Sequence, residues 1–356
     1  MTDELLELTD ASPETVLEYF AERGWGDGLP LVPPTPERVD AMLACAVDGR
    51  VDGRVDGEVA DPDEVLAVLE PRFGECTRRM VAVNAVLAGC PPEVMPVLVT
   101  AARALGHPEL NLRGVNATTH PVAPLLIVHG EIAERAGFNS GLGAFGPGNR
   151  ANATTGRALR LLLLHVAGAR PGGGDASTQG QPAKYTYCVA ENLGASPWEG
   201  YARASGVDAP SAVTLHCGEN PHNVHDMTAD RPGPILDKIA SVMATLGANN
   251  APISQAEWFI GLCPEHAATI AGHGWTRTDV QSFLFDRARL PAGLLREHFV
   301  PVAWTGWMHE VPDDHLLPVT AHPDHIRVLV VGGAGKHSCV IPSWGMTKSV
   351  TLAVES

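Results

Sequence analysis

Positive charge is scarce in this chain. Lysine occurs four times, at Lys184, Lys238, Lys336 and Lys348, and 25 Lys and Arg face 41 Asp and Glu, for a formal net charge of −16 over 356 residues. No basic run occurs, and phosphate contacts need clustered Lys and Arg, so nucleic acid is not an expected partner. No stretch approaches the roughly 18 consecutive apolar residues that a membrane helix needs, so no membrane partner is expected either. The seven cysteines (Cys45, Cys76, Cys90, Cys188, Cys217, Cys263 and Cys339) include no CxxC pair. Neither a disulfide framework nor a zinc knuckle is therefore indicated, and most of these thiols are read as small buried hydrophobes. The segment Met1–Glu7 is acidic, where a secretory signal would begin basic. The expected location is a reducing cytoplasm.

With 45% hydrophobic and 19% charged residues, the composition is that of a folded globular protein. Ser12-Pro13-Glu14 reads as a helix start, and Gly24–Pro30 as its break. A second helix begins at Thr35 and runs to about Ala46. The four-residue repeat Val47–Gly57 spaces its aspartates four apart, not two apart as in a calcium loop, and reads as an exposed loop or hairpin. From Thr77 onward strand, glycine turn and helix alternate. Val122–Val128, Ser211–Leu215, Trp258–Leu262 and Arg327–Val331 are apolar runs suited to buried strands. The expected fold is α/β, a mixed sheet with flanking helices, with a helical N-terminal extension over residues 1–75 and an α/β main domain over 76–356 that carries the site.

The densest chemistry lies in Leu215–Ala229, where His216, Cys217, Glu219, His222, His225 and Asp226 follow an apolar run. Side chains on a loop leaving a buried strand are where α/β proteins place their sites. His222-x-x-His225 with His216, and with Asp226 or Cys217 as a further ligand, could chelate a divalent metal. No HExxH supports a metalloprotease, and the histidines could equally be ordinary loop residues.

Two glycine-rich loops invite a cofactor reading. In Gly332-Gly333-Ala334-Gly335-Lys336-His337-Ser338, Val330 stands where a P-loop needs its first Gly, and His337 where it needs Ser or Thr. The GxGxxG pattern fails at Ser338, so no nucleotide or flavin motif is present, although the amides there could hold a carboxylate or phosphate. Gly141–Arg150, ahead of a helix from Asn152, reads as a better anion cradle, with Arg150 beside it. Between these loops, Asp175, Lys184 and Glu191 offer acid and base groups.

Several phrases carry a resemblance: Gly24-Trp25-Gly26-Asp27-Gly28-Leu29-Pro30, Gly146-Pro147-Gly148-Asn149-Arg150-Ala151-Asn152, Ser196-Pro197-Trp198-Glu199, Pro221-His222-Asn223 and Pro264-Glu265-His266-Ala267. From about Gly24 onward the chain resembles a family of bacterial proteins, mostly hypothetical, that is associated with small thiol or selenol proteins bearing a Sec/Cys-Gly-Ser-Cys motif. That motif is absent here, and His337-Ser338-Cys339 does not replace it. The resemblance implies a redox-active thiol supplied by a partner chain, and a substrate pocket supplied by this one.

The functional reading is an enzyme acting on a small polar, anionic metabolite by acid/base chemistry, hydrolysis or elimination. Its expected catalytic residues are His222, Lys184, Glu191, His225 and Asp175. Asn149, Arg150, Asn152, Trp198 and Asn223 are expected to bind substrate. A subunit of a thiol- or selenol-dependent redox complex, and a metal enzyme built on His216, His222 and His225, are the alternatives. Homo-oligomerisation is left open.

Overall fold

The computed structural model describes residues 12–46, 54–55, 58–251, 256–300 and 304–355. Most of the Val47–Gly57 repeat lies outside the described residues. Helix α1 (Pro13–Glu22) starts where Ser12 Oγ accepts the Thr15 amide at 3.3 Å, with Pro13 in the first turn, and α2 (Pro36–Ala44) follows Thr35. Short hairpins come next, β1 (Arg54–Val55) with β2 (Glu58–Val59), and β3 (Val65–Leu69) with β4 (Gly74–Thr77). Val16, Phe20, Val39, Met42 and Leu43 enter the same apolar cluster as the helices that follow.

The rest of the chain forms two similar α/β units. In the first, α3 (Arg78–Ala88), α4 (Met95–Leu105) and α5 (Leu112–Ala117) precede β5 (Ala123–Gly130). Then come α6 (Glu131–Arg135), α7 (Arg150–His165), β6 (Cys188–Ala190), α8 (Tyr201–Ala204) and β7 (Ser211–Gly218). A short strand, β8 (His222–His225), leads into the second unit. That unit holds α9 (Pro232–Met243), β9 (Trp258–Leu262), α10 (Pro264–Gly272) and α11 (Arg277–Arg287). A lobe of β10 (Arg289–Pro291), α12 (Ala292–His298), α13 (Gly306–Glu310) and β11 (Leu316–Pro318) is inserted before β12 (Ile326–Val330), β13 (His337–Pro342) and β14 (Val350–Ala353).

Apart from the two hairpins and the β10–β11 pair, the strands are divided between two mixed four-stranded sheets, ordered β14-β7-β5-β6 and β12-β9-β13-β8. Each has a central strand, β5 or β9, paired in parallel with one neighbour and antiparallel with the other. Side-chain alternation assigns the faces. Leu126 and Val128 pack into the helices of the first unit, whereas Leu125 and Ile127 join Phe259, Leu329, Val331 and Ile341 in a separate cluster. Trp258, Ile260, Val328 and Val330 pack on the helices of the second unit. The layers therefore run helix, sheet, sheet, helix, with the two sheets face to face. No helix among the described residues is long and apolar enough to cross a membrane.

The units also exchange their fourth strands. After β7 the chain crosses into β8, which pairs with β13 of the second sheet; after β13 it crosses back into β14, which pairs with β7 of the first. Matching backbone bonds fix the correspondence: Glu191 N donates to Val128 O at 3.0 Å, and Val331 N to Leu262 O at 3.0 Å. Carried through the strand registers, this makes Thr214 the counterpart of Cys339, and Gly218 the counterpart of Ser343. Gly218 and Ser343 themselves form an antiparallel bridge, so the crossovers meet at an internal pseudo-two-fold axis. Glycine is required there, because a Cβ on Gly218 would stand 2.5 Å from Ile341 Cγ2.

Candidate functional site

Where the second sheet faces inward, β8 and β13 present four polar side chains in a two-by-two patch. Cys339 pairs in register with Asn223, and His337 with His225. His337 Nδ1 lies 2.9 Å from Asn223 Oδ1, and its ring stacks on that of His225 with centroids 5.6 Å apart. An amide oxygen only accepts, so Nδ1 donates and the imidazole lone pair is left on Nε2. Cys339 is half-buried, and burial pushes its thiol up to about 12, so it is protonated at rest.

Asn223, His337 and Cys339 of this patch form one wall of a cleft of about 290 Å³, lined besides by Gly143, Phe145, Gly146, Pro221, Val331 and Gly332. Gly261 opens its floor: a Cβ there would come 2.6 Å from Val331 Cγ2 and 2.8 Å from Cys339 Sγ. The counterpart in the first sheet is Ile127, whose side chain fills the inter-sheet core. The opposite wall is shaped by Asn152, which is buried on α7. Its Oδ1 accepts from Asn139 N at 2.8 Å, while its Nδ2 donates to Asn139 O at 2.9 Å and to Ala144 O at 3.2 Å.

The expected site residues are dispersed. His222–His225 is a strand, not a loop; its polar text hid a ladder with a partner more than a hundred residues away. His222 is exposed on the face opposite to Asn223 and His225, next to Val224, which packs on the outer helices. His216 points between the sheets, with Nδ1 2.9 Å from Ser349 Oγ. Asp226 is buried and held by Lys238 and by the amides of Thr228 and Ala229, and Cys217 is buried in the first unit. The expected metal set therefore does not assemble. Among the described residues no three His, Cys, Asp or Glu side chains gather as a ligand group.

Arg150 is tethered to the carbonyls of Gly89 at 2.9 Å and Cys90 at 3.4 Å, while Asn149 caps α7 through the Asn152 amide at 2.9 Å. Both secure the loop instead of facing an anion. In the second glycine loop the Gly335 amide holds a carboxylate of the chain's own, Glu265, at 2.7 Å. Lys184 bonds both oxygens of the buried Asp175, at 2.9 and 2.7 Å, and Arg160 adds a third contact at 3.2 Å. Burial lowers the Lys184 ammonium's pKa, and Asp175 offsets this only in part. Trp198 donates to Trp275 O at 3.0 Å and packs on the core of the second unit.

Glu191 is fully buried against His129, with Nδ1 2.7 Å from Oε2, and Tyr201 N donates to it at 2.9 Å. His129 Nε2 reaches Thr214 Oγ1 at 2.9 Å, and its ring stacks on Tyr201. This dyad occupies both ring nitrogens and stiffens the first sheet. A second pair looks like a nucleophile and its base: His266 Nδ1 lies 2.8 Å from Ser338 Oγ. Both are buried, the hydroxyl also accepts from Cys263 N, and His266 Nε2 contacts Asp226 O at 3.0 Å. Neither pair meets the cleft with a free atom.

Sequence reasoning missed His337, and it treated Cys339 as a plain buried thiol. Their signal was present: a His-x-Cys alternation after a glycine turn, which places both on one face once the segment is a strand. No protein-family model, curated protein or solved structure matches this chain.

Proposed function

We propose that the chain is an enzyme acting on a small polar molecule by acid/base chemistry, with His337 as the proton-transfer group. One observation carries this reading: Asn223 fixes the His337 tautomer so that Nε2, with its lone pair, belongs to an imidazole lining a cleft. A base held by an orienting partner beside an open volume is the arrangement that hydrolysis and elimination both need. In either reaction Nε2 accepts a proton from water or from the substrate and returns it to the leaving group.

The volume, about 290 Å³, is at the small end for ligand pockets and suits a compact metabolite. The polar side chains there are Asn223, His337 and Cys339, with no charged side chain among the described lining residues. The site is thus suited to a neutral polar group more than to the anion expected from Arg150 and Lys184. Screening small esters, amides and hydroxy acids with wild type and His337→Gln tests the reading. Turnover by wild type that disappears in His337→Gln is expected; equal turnover by both would refute it.

A further inference from the structure

We propose that Cys339 is the covalent nucleophile of this cleft and that its substrates are small neutral acyl compounds with a good leaving group, esters or thioesters. The inference rests on the acid/base reading of His337 and narrows it to acyl transfer. Four features converge on the sulfur. Cys339 lines the cleft and is half-buried, whereas Cys76, Cys90, Cys188, Cys217 and Cys263 are buried. His337 precedes it by two residues on the same strand face, about 7 Å away between Cα atoms, so base and thiol flank the same volume.

Gly261 supplies the third feature, since any side chain there would meet Sγ at 2.8 Å. Its absence leaves space for a substrate carbon to approach the sulfur. The fourth is the facing loop, where the backbone amides of Gly143 and Phe145 donate to no acceptor of the chain among the described residues. Amides in a glycine turn are suited to a carbonyl oxygen that gains charge as its carbon becomes tetrahedral.

The step balances without a cofactor. Sγ attacks the carbonyl carbon and forms the S–C bond while the thiol proton passes to His337 Nε2. The C–O or C–S bond to the leaving group then breaks, and that group takes the proton from His337. Water attacks the resulting thioester carbon, giving its proton to His337, and the C–S bond breaks as the thiol is re-formed with that proton. Because the thiol is protonated at rest, proton transfer to His337 must accompany attack.

The test is to mix the full-length chain with p-nitrophenyl acetate and with a small acetyl thioester, follow leaving-group release, and map the adduct by mass spectrometry. A burst of about one leaving group per chain is expected, with acetyl on Cys339. Cys339→Ala should lose the burst, His337→Ala should slow it roughly 10²-fold or more, and Cys339→Ser, which keeps the volume, should acylate far more slowly with an unchanged circular dichroism spectrum. Acetyl found only on other cysteines, or no acylation by either reagent, would overturn the proposal. Steady turnover without an adduct, retained in Cys339→Ala and lost in His337→Ala, would overturn the covalent step while leaving the acid/base reading standing.

Discussion

His337 Nδ1 stands 2.9 Å from Oδ1 of Asn223, which lies on the neighbouring strand directly opposite Cys339. The bond runs diagonally across the ladder and turns one imidazole into a defined tautomer. Replacing Asn223 by Ala should leave the fold intact, since the residue is exposed, and lower kcat by about 10- to 100-fold with KM little changed, as for other orienting partners of a reactive group. Asn223→Asp, which restores an acceptor, should recover part of the loss. Steady-state kinetics on the three proteins would check this.

Gly261→Ala places a Cβ 2.6 Å from Val331 and 2.8 Å from Cys339 Sγ. We expect it to cost about 1–3 kcal/mol of stability, as overpacking does, and to reduce activity by narrowing the floor. Urea unfolding and turnover should therefore fall together. A fully active and fully stable Gly261→Ala would mean that the floor yields freely.

The apolar runs made the central strands legible: Val122–Val128, Ser211–Leu215, Trp258–Leu262 and Arg327–Val331 correspond to β5, β7, β9 and β12. Helix starts were legible where the cap chemistry is local, as at Ser12-Pro13. At α11 the cap is Thr276, completed by Asp279 in a capping box. The strands β8, β13 and β14 escaped notice because their partners are distant in the chain and their inward faces are polar, which removes the usual apolar alternation. That same loss hid the site, since a one-residue difference in parity decides that Asn223 faces the cleft and His222 does not. The exchange of edge strands leaves no local trace at all.

Between the sheets, Glu257 accepts from Arg327 Nη2 at 2.7 Å and from Ser349 N at 2.9 Å. Burial alone would raise its carboxyl pKa, but His216, 3.8 Å away, and Arg327 hold it well below the usual carboxylate range. A depressed carboxylate contributes stability above the unfolded value, about 4.3, and that contribution fades as pH falls below it. Glu257→Gln should thus be less stable at pH 7 by about 3 kcal/mol, having left Arg327 without its partner. The gap to wild type should close on acidification, as read by denaturant unfolding at a series of pH values. A gap independent of pH would contradict the assignment.

Lys184→Ala removes one of two cations on Asp175 and leaves Arg160 in place. A cost of about 1–3 kcal/mol in stability is expected, with turnover unchanged because Lys184 belongs to an internal ion cluster and not to the cleft wall. Thermal unfolding and kinetics measured on the same preparation would separate the two effects.

The most direct test compares kcat/KM of His337→Ala and His222→Ala with wild type, on whichever small ester, thioester or amide wild type turns over. The two histidines lie on adjacent strands, His337 on the wall of the cleft and His222 on the opposite face of the sheet. We predict that His337→Ala loses about 10²- to 10⁴-fold, the worth of a positioned proton-transfer group, while His222→Ala stays within about twofold of wild type. Loss of activity in His222→Ala with His337→Ala unaffected would contradict the account.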